Sequence, residues 1–209
     1  MIVCIEGADG CGKTSVADAV AKALGCEVVA FPHDAAFTGA MIRAYLQGRW
    51  ACGEPVSGAP GRLREDPELG AVAFQALQIA NRMELMPRLR EAQRSGRNIV
   101  LARYWQSGWV YGQLDGLPAA WLHGVHAGMV QPDLNVLLDA PAETCMERRA
   151  ARDGALAPER YEGKLDFTRK VVDLYRDLWR GFAPLDSWRV IDALRPFADV
   201  VADIVEATR

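Results

Sequence analysis

Gly7-Ala8-Asp9-Gly10-Cys11-Gly12-Lys13-Thr14 satisfies G-x-x-x-x-G-K-[ST], the spacing of a loop that cradles phosphate. Glycines let backbone N–H groups close around phosphate oxygens, and a helix opening at Lys13 adds the positive end of its dipole. Lys13 then reaches the β- and γ-phosphates, and the Thr14 hydroxyl can ligate Mg²⁺. A plain glycine turn between strand and helix would have no need of Lys-Thr directly after it. Phosphoryl chemistry with ATP and Mg²⁺ is the class implied. As a residue of an exposed loop, Lys13 is expected to contribute little to stability.

Such a loop needs a strand before it and a helix after it, and the chain supplies both. Nearly continuous apolar runs predict strands over 2–6, 27–31, 98–102, 134–138 and 188–191. Continuous hydrophobicity means burial on both faces, the mark of a parallel sheet covered by helices. Helices are expected over 13–24, 37–47, 69–94, 142–151, 165–182 and 196–207, with Pro87 kinking or breaking the third. Gly53 to Pro67, rich in Gly, Pro, Ser and charge, reads as the longest loop. The fold class is therefore α/β, with a five-stranded parallel sheet between two helical layers, and one domain is expected over residues 1–209.

The composition agrees: 209 residues, 50% hydrophobic, 24% charged and 8% aromatic describe a soluble globular domain rather than a fibrous or disordered one. No apolar run reaches the ~20 residues of a membrane span. The first residues lack a basic leader and end in Glu6, so they read as a strand and not a signal peptide, and a cytoplasmic location is expected. Net charge of −3 excludes a global footprint for nucleic acid. Cys4, Cys11, Cys26, Cys52 and Cys145 form no C-x-x-C pair and read as small buried thiols. His33, His123 and His126 offer no metal-ligand pattern, although His33, just after the second strand, points to an acceptor site.

Ile5-Glu6-Gly7-Ala8-Asp9-Gly10-Cys11-Gly12-Lys13-Thr14 resembles the opening of thymidylate kinases. The resemblance continues through Phe31-Pro32, Ala44-Tyr45-Leu46-Gln47, Ala80-Asn81-Arg82 with Pro87, and Arg103-Tyr104 with Ser107 and Tyr111. It ends with Pro132-Asp133-Leu134, Leu137-Leu138-Asp139, Glu159-Arg160-Tyr161-Glu162 and Ile191-Asp192-Ala193. The order of these matches over nearly the whole chain is more specific than any one of them. It implies a P-loop nucleoside monophosphate kinase that phosphorylates a pyrimidine deoxynucleotide.

The resemblance also implies roles. Gly10, Gly12, Lys13, Thr14 and Ser15, with Arg149 and Arg152, would hold ATP. A lid over about residues 150–162, with small residues and Gly154 at its centre, would close over it. Arg160 in the lid and Arg103 at the end of the third strand would join Lys13 in catalysis, since cations brought to the transferred group neutralise its charge while closure excludes water. Asp9, Phe31, Gln78, Arg82, Arg103, Ser107, Tyr111 and Tyr161 would bind the acceptor, and Thr14 the metal. Plainer roles stand beside these: Asp9 capping its loop, Arg82 on a solvated face, and Arg148, Arg149 and Arg152 answering a helix dipole. Asp139 is as well explained by capping the next helix as by a nucleotide motif. A homodimer, with small nucleotides as ligands and neither nucleic acid nor membrane as partner, is implied as well.

Three departures fall on the acceptor side. Ala102 stands where the family usually has aspartate before Arg103, Gln78 where an aromatic residue stacks on thymine, and His33-Asp34 where one branch has an arginine after Phe-Pro. Gln78 both donates and accepts hydrogen bonds, so a modified or non-thymine pyrimidine and ordinary dTMP are both open. A nucleoside kinase needs a carboxylate base for a sugar hydroxyl, whereas a monophosphate is mostly ionised already, with a second pKa of about 6. Loss of the strand-end carboxylate therefore suits a monophosphate acceptor. A nucleoside kinase using Asp34 as base, and a P-loop protein that binds nucleotide without turnover, are the other readings.

Overall fold

The computed structural model describes residues 1–47, 67–153, 164–182 and 187–209. Five strands, β1 (Ile2–Glu6), β2 (Glu27–Ala30), β3 (Ile99–Ala102), β4 (Leu134–Asp139) and β5 (Trp188–Asp192), form one parallel sheet in the order β2-β3-β1-β4-β5. Every residue of β1 and β3 is buried, as their unbroken apolar sequences require. The edge strands depart from that expectation: β2 and β5 each keep residues at the surface, because an edge strand has a neighbour on one side only.

Nine helices are described: α1 (Lys13–Leu24), α2 (Gly39–Leu46), α3 (Pro67–Met83), α4 (Met86–Ser95), α5 (Trp105–Leu114), α6 (Ala119–His126), α7 (Ala142–Asp153), α8 (Leu165–Phe182) and α9 (Phe197–Glu206). α1 packs with α9 and against β3, while α5 packs with α3, α6 and α8. The single helix expected over 69–94 is two. Pro87 has no N–H to give to a preceding turn, so it stands in the first turn of α4, where none is needed. α5 and α6 were not expected at all. Seven of the ten α5 residues are buried, and a helix buried all round shows no amphipathic period.

Among the described residues no helix is long and apolar enough to cross a membrane. Cys4, Cys11 and Cys145 are buried thiols as expected, and Cys26 is partly exposed. Cys52, the 53–67 loop up to residue 66, and lid residues 154–162 lie outside the described residues, and Arg160 and Tyr161 with them.

The chain order reverses at β1, which lies between β3 and β4. In an open parallel sheet the carboxyl ends of strands at such a point form a crevice. The sequence puts the glycine loop at the end of β1, Arg103 at the end of β3 and Asp139 at the end of β4.

Candidate active site

The loop between β1 and α1 has the geometry its glycines permit. Gly10 has φ 89°, and a Cβ there would stand 2.0 Å from the Cys145 carbonyl oxygen of α7, so no other residue fits against that helix. Gly12 (φ 102°) precedes Lys13, the first residue of α1, and the Thr14 side chain is exposed. Lys13 is only 6% exposed, contrary to the exposed position expected of it. Its Nζ donates to the Ala8 carbonyl at 2.5 Å. Burial lowers its pKa, and the nearby Arg103 guanidinium lowers it further.

A cavity of about 900 Å³ opens beside the loop and gathers most of the acceptor-side candidates. Asp9, Lys13, Thr14 and Arg103 line one part of it, with Arg152 of α7; Phe31, His33, Asp34, Gln78, Ser107 and Tyr111 line the rest. Asp9 gathers cations: its carboxylate lies 3.1 Å from Arg103 Nη2, 3.6 Å from Arg152 Nη2 and 4.0 Å from Arg149 Nε. Arg103 is a non-glycine residue in the left-handed region at φ 67°, held by its N–H to the Ile5 carbonyl, and its guanidinium lies 5.8 Å over the Tyr111 ring. Backbone strain of this kind concentrates where a side chain must be aimed.

Ala102 lines the same cavity at the end of β3, 5% exposed, and supplies no carboxylate. Asp34 does not replace it freely, because Arg43 of α2 grips it with Nε at 2.7 Å and Nη2 at 3.1 Å. Arg82 is neither on a solvated face nor in the cavity wall: it is 2% exposed, with its pKa pushed down to about 10 by burial. Asp139 forms a two-pronged ion pair with Arg176 of α8, at 3.0 Å for both contacts, and takes no part in the cavity.

A second cavity of about 270 Å³ is lined by Gly12, Ser15, Arg148, Arg195 and Phe197 among others. Ser15, expected at the ATP site, lines this cavity and not the larger one. Of the three arginines at the end of α7, Arg148 lines this cavity and donates to the Ala193 carbonyl at 3.0 Å, whereas Arg149 and Arg152 turn to Asp9.

Glu6, unassigned by sequence reasoning, organises the floor. It is fully buried and accepts from the Tyr104 N–H (2.6 Å), the Ser107 N–H (3.3 Å), the Ser107 hydroxyl (2.8 Å) and the Tyr175 hydroxyl (2.8 Å). The carboxylate caps the N-terminus of α5 from the neighbouring strand β1, where free N–H groups and the dipole favour an anion. The signal was an acid closing an otherwise apolar strand. Phe74, four residues before Gln78 on the same face of α3, was also missed; it lines the cavity and stacks on Tyr45 with ring centres 4.0 Å apart.

For a metal, the described residues contain no group of three or more His, Cys, Asp or Glu side chains. Thr14 and Asp9 beside a phosphate loop fit Mg²⁺ instead, which keeps its waters and takes few protein ligands besides the nucleotide's own oxygens.

Comparison with known proteins agrees with this geometry. Residues 5–204 match the family model described as thymidylate kinase. The chain is 31% identical over 214 residues to the probable thymidylate kinase of Pyrobaculum aerophilum, across 98% of this chain and 94% of that protein. It is 30% identical over 215 residues to the probable thymidylate kinase of Pyrobaculum calidifontis, with the same coverage of 98% and 94%. The solved structure of thymidylate kinase from Candida albicans shares the fold, with a TM-score of 0.71 at 21% identity over 98% of this chain and 89% of that one. With its phosphate loop, its five-stranded parallel sheet and a family match over nearly its whole length, this chain belongs to the thymidylate kinases, phosphotransferases that act on nucleoside monophosphates.

Proposed function

We propose that the enzyme transfers the γ-phosphoryl group of ATP, with Mg²⁺, to the 5′-phosphate of dTMP or a 5-modified pyrimidine deoxynucleotide. The observation that carries this reading is the continuous cavity of about 900 Å³, which joins Lys13, Thr14, Arg103 and Arg152 to a wall of aromatic and amide side chains. Donor phosphates would lie on Gly10, Gly12, Lys13, Thr14 and Ser15, and the donor base beside Arg148 and Phe197. The acceptor would extend from Arg103 past Ser107 and Tyr111 to Phe31, Phe74 and Gln78, with Arg82 behind. Arg149, Arg152 and the lid residues Arg160 and Tyr161 complete the assignment.

Positioning and charge neutralisation supply the catalysis. Mg²⁺ held by the Thr14 hydroxyl, with Asp9 nearby, would neutralise phosphate charge. Lys13 leaves the Ala8 carbonyl for the β- and γ-phosphates. Arg103 and Arg152, drawn together by Asp9, face the region between donor and acceptor phosphates. No base is needed for an ionised acceptor, which accommodates Ala102. A nucleoside kinase is disfavoured because the cavity carboxylates Asp9 and Asp34 are both held by arginines. One catalytic domain, a homodimer and a cytoplasmic location complete the reading; sedimentation of the purified protein reads the assembly.

ADP release measured with dTMP, dUMP, dCMP and 5-substituted analogues, with and without Mg²⁺, tests the activity. Turnover strictly dependent on a pyrimidine monophosphate and on the metal is expected. ATP consumption that ignores every acceptor would remove the reading.

A further inference from the structure

Asn81, in the last turn of α3, is fully buried, and its side chain pairs with the loop between β2 and α2. Oδ1 accepts from the His33 N–H at 2.7 Å, while Nδ2 donates to the His33 carbonyl and to the Thr38 hydroxyl, both at 3.1 Å. Both donor hydrogens and the oxygen of the amide are thus engaged. One side chain gives His33 the pair of bonds that a neighbouring strand would give. Gly39 closes the loop from α2: a Cβ there would stand 2.5 Å from the His33 carbonyl oxygen and 2.6 Å from that of Asp34. His33, Asp34 and Ala35 of this loop line the larger cavity, as do Phe74 and Gln78 of α3, whereas Asn81 does not. Exposed Glu84, just past α3, holds the loop further on, accepting from the Phe37 N–H (2.7 Å), the Thr38 N–H (3.1 Å) and the Thr38 hydroxyl (2.7 Å). Phe37 and Thr38 do not line the cavity.

We propose that Asn81 is a positioning residue for the acceptor: by gripping both polar backbone groups of His33 it fixes the cavity wall formed by the loop against the wall formed by α3. It sets the affinity for the acceptor monophosphate without touching it. The assignment rests on the proposed acceptor site and deepens it. Asp34 is a carboxylate in a cavity meant for a phosphate anion, and it is accommodated because Arg43 of α2 grips it at 2.7 and 3.1 Å. Any shift of the His33 backbone carries Asp34 with it, toward or away from that arginine. A displacement of about 1 Å in a binding wall can cost as much as a hundredfold. An apolar side chain of the same size would fill the space of Asn81 and leave the His33 N–H without its partner, which releases the loop. The phosphate loop belongs to β1 and α1, so the donor nucleotide is outside the reach of this contact. Loss of Asn81 therefore weakens acceptor binding selectively.

The test measures KM for dTMP, KM for ATP and kcat in the wild type, Asn81→Leu, Asn81→Asp and Glu84→Ala, with thermal unfolding as the measure of fold. Asn81→Leu removes all three bonds and should raise KM for dTMP roughly tenfold or more, with KM for ATP and kcat at saturating dTMP changed less than about threefold. Asn81→Asp keeps an acceptor for the His33 N–H but sets a carboxylate against the His33 carbonyl, so its KM for dTMP should lie between those of the wild type and Asn81→Leu. Glu84→Ala loosens the same loop away from the cavity and should leave KM for dTMP within about twofold. Equal losses for ATP and dTMP, or a fall in kcat alone, in a folded Asn81 variant would overturn the assignment. So would a Glu84→Ala variant that raises KM for dTMP as much as Asn81→Leu does. If Asn81→Leu does not fold, Asn81→Asp decides: a KM for dTMP equal to that of the wild type overturns the assignment. A wild type with no activity toward any pyrimidine monophosphate would instead refute the proposed function itself, and this assignment with it.

Discussion

Lys13 without ligand is a buried cation bonded to a carbonyl of its own loop, with Arg103 adding a second positive charge nearby. In the proposed function a polyphosphate in the loop would reverse that unfavourable setting, concentrating much of the attraction for nucleotide in one side chain. Lys13→Ala is expected to lower kcat at least about a hundredfold, roughly 3 kcal/mol of lost charge stabilisation. Its melting temperature should stay within a few degrees of wild type, because the lost bond is local and the removed charge was poorly solvated. Near-normal turnover would sink the phosphate-loop assignment. Gln78 carries a second prediction at this scale. It stands one turn from Phe74 at the cavity wall, so Gln78→Phe would extend the aromatic face toward the base while removing a polar contact. The ratio of kcat/KM for dTMP over a polar 5-substituted analogue should rise by on the order of 1–3 kcal/mol. If Gln78→Phe alters every acceptor by the same factor, Gln78 has no part in reading the 5-position.

At the scale of elements, the site depends on how β1, α5 and α8 are tied together through Glu6. The buried carboxylate accepts from the N–H of Tyr104 just before α5, from the N–H of Ser107 in its first turn, and from hydroxyls on α5 and α8. Glu6→Gln keeps the shape but substitutes a donor for one acceptor, leaving at least one buried N–H or O–H unpaired. A loss of about 2–4 kcal/mol in denaturant unfolding is expected, together with reduced activity, since Ser107 and Arg103 flank that turn. An unchanged denaturation midpoint would mean that α5 is held by packing alone. This tie also explains what could be read in advance. Strands β1, β3 and β4 were legible because burial on both faces leaves an unbroken apolar run, and the loop was legible because its chemistry fixes its spacing. The α3–α4 break was half legible: Pro87 announces a discontinuity but not its place, which is set by the proline fitting the first turn of α4. α5 was illegible because a helix surrounded by protein has no polar face to give it a period, and its cap comes from a residue 98 positions away.

For the whole molecule, enclosing polar side chains between α3, α5 and α6 has a consequence for acid stability. His126 of α6 is 2% exposed, and its Nδ1 lies 2.6 Å from the Leu122 carbonyl, which makes that nitrogen the protonated one. Arg82 and His123 are the charged or titratable groups that act on it. Burial first, and then Arg82, lower its pKa from 6.5 to about 3. The unfolded chain takes up this proton below about 6.5, while the folded protein refuses it until about 3. The contribution to stability is therefore complete above pH 6.5 and is lost as pH falls through that window. At pH 5, about 1.5 units below the unfolded value, the loss is about 2 kcal/mol. For a chain of this size that corresponds to a fall of roughly 4–8 °C in Tm. Carboxylates titrate in the same range, so the measurement is a comparison: thermal unfolding between pH 7.5 and 5 for the wild type and His126→Asn, which can still donate to the Leu122 carbonyl but cannot ionise. The variant should start lower at neutral pH and decline less on acidification, by about the stated amount. Parallel declines in the two proteins would mean that acid sensitivity arises elsewhere in the molecule and that protonation of His126 does not oppose folding.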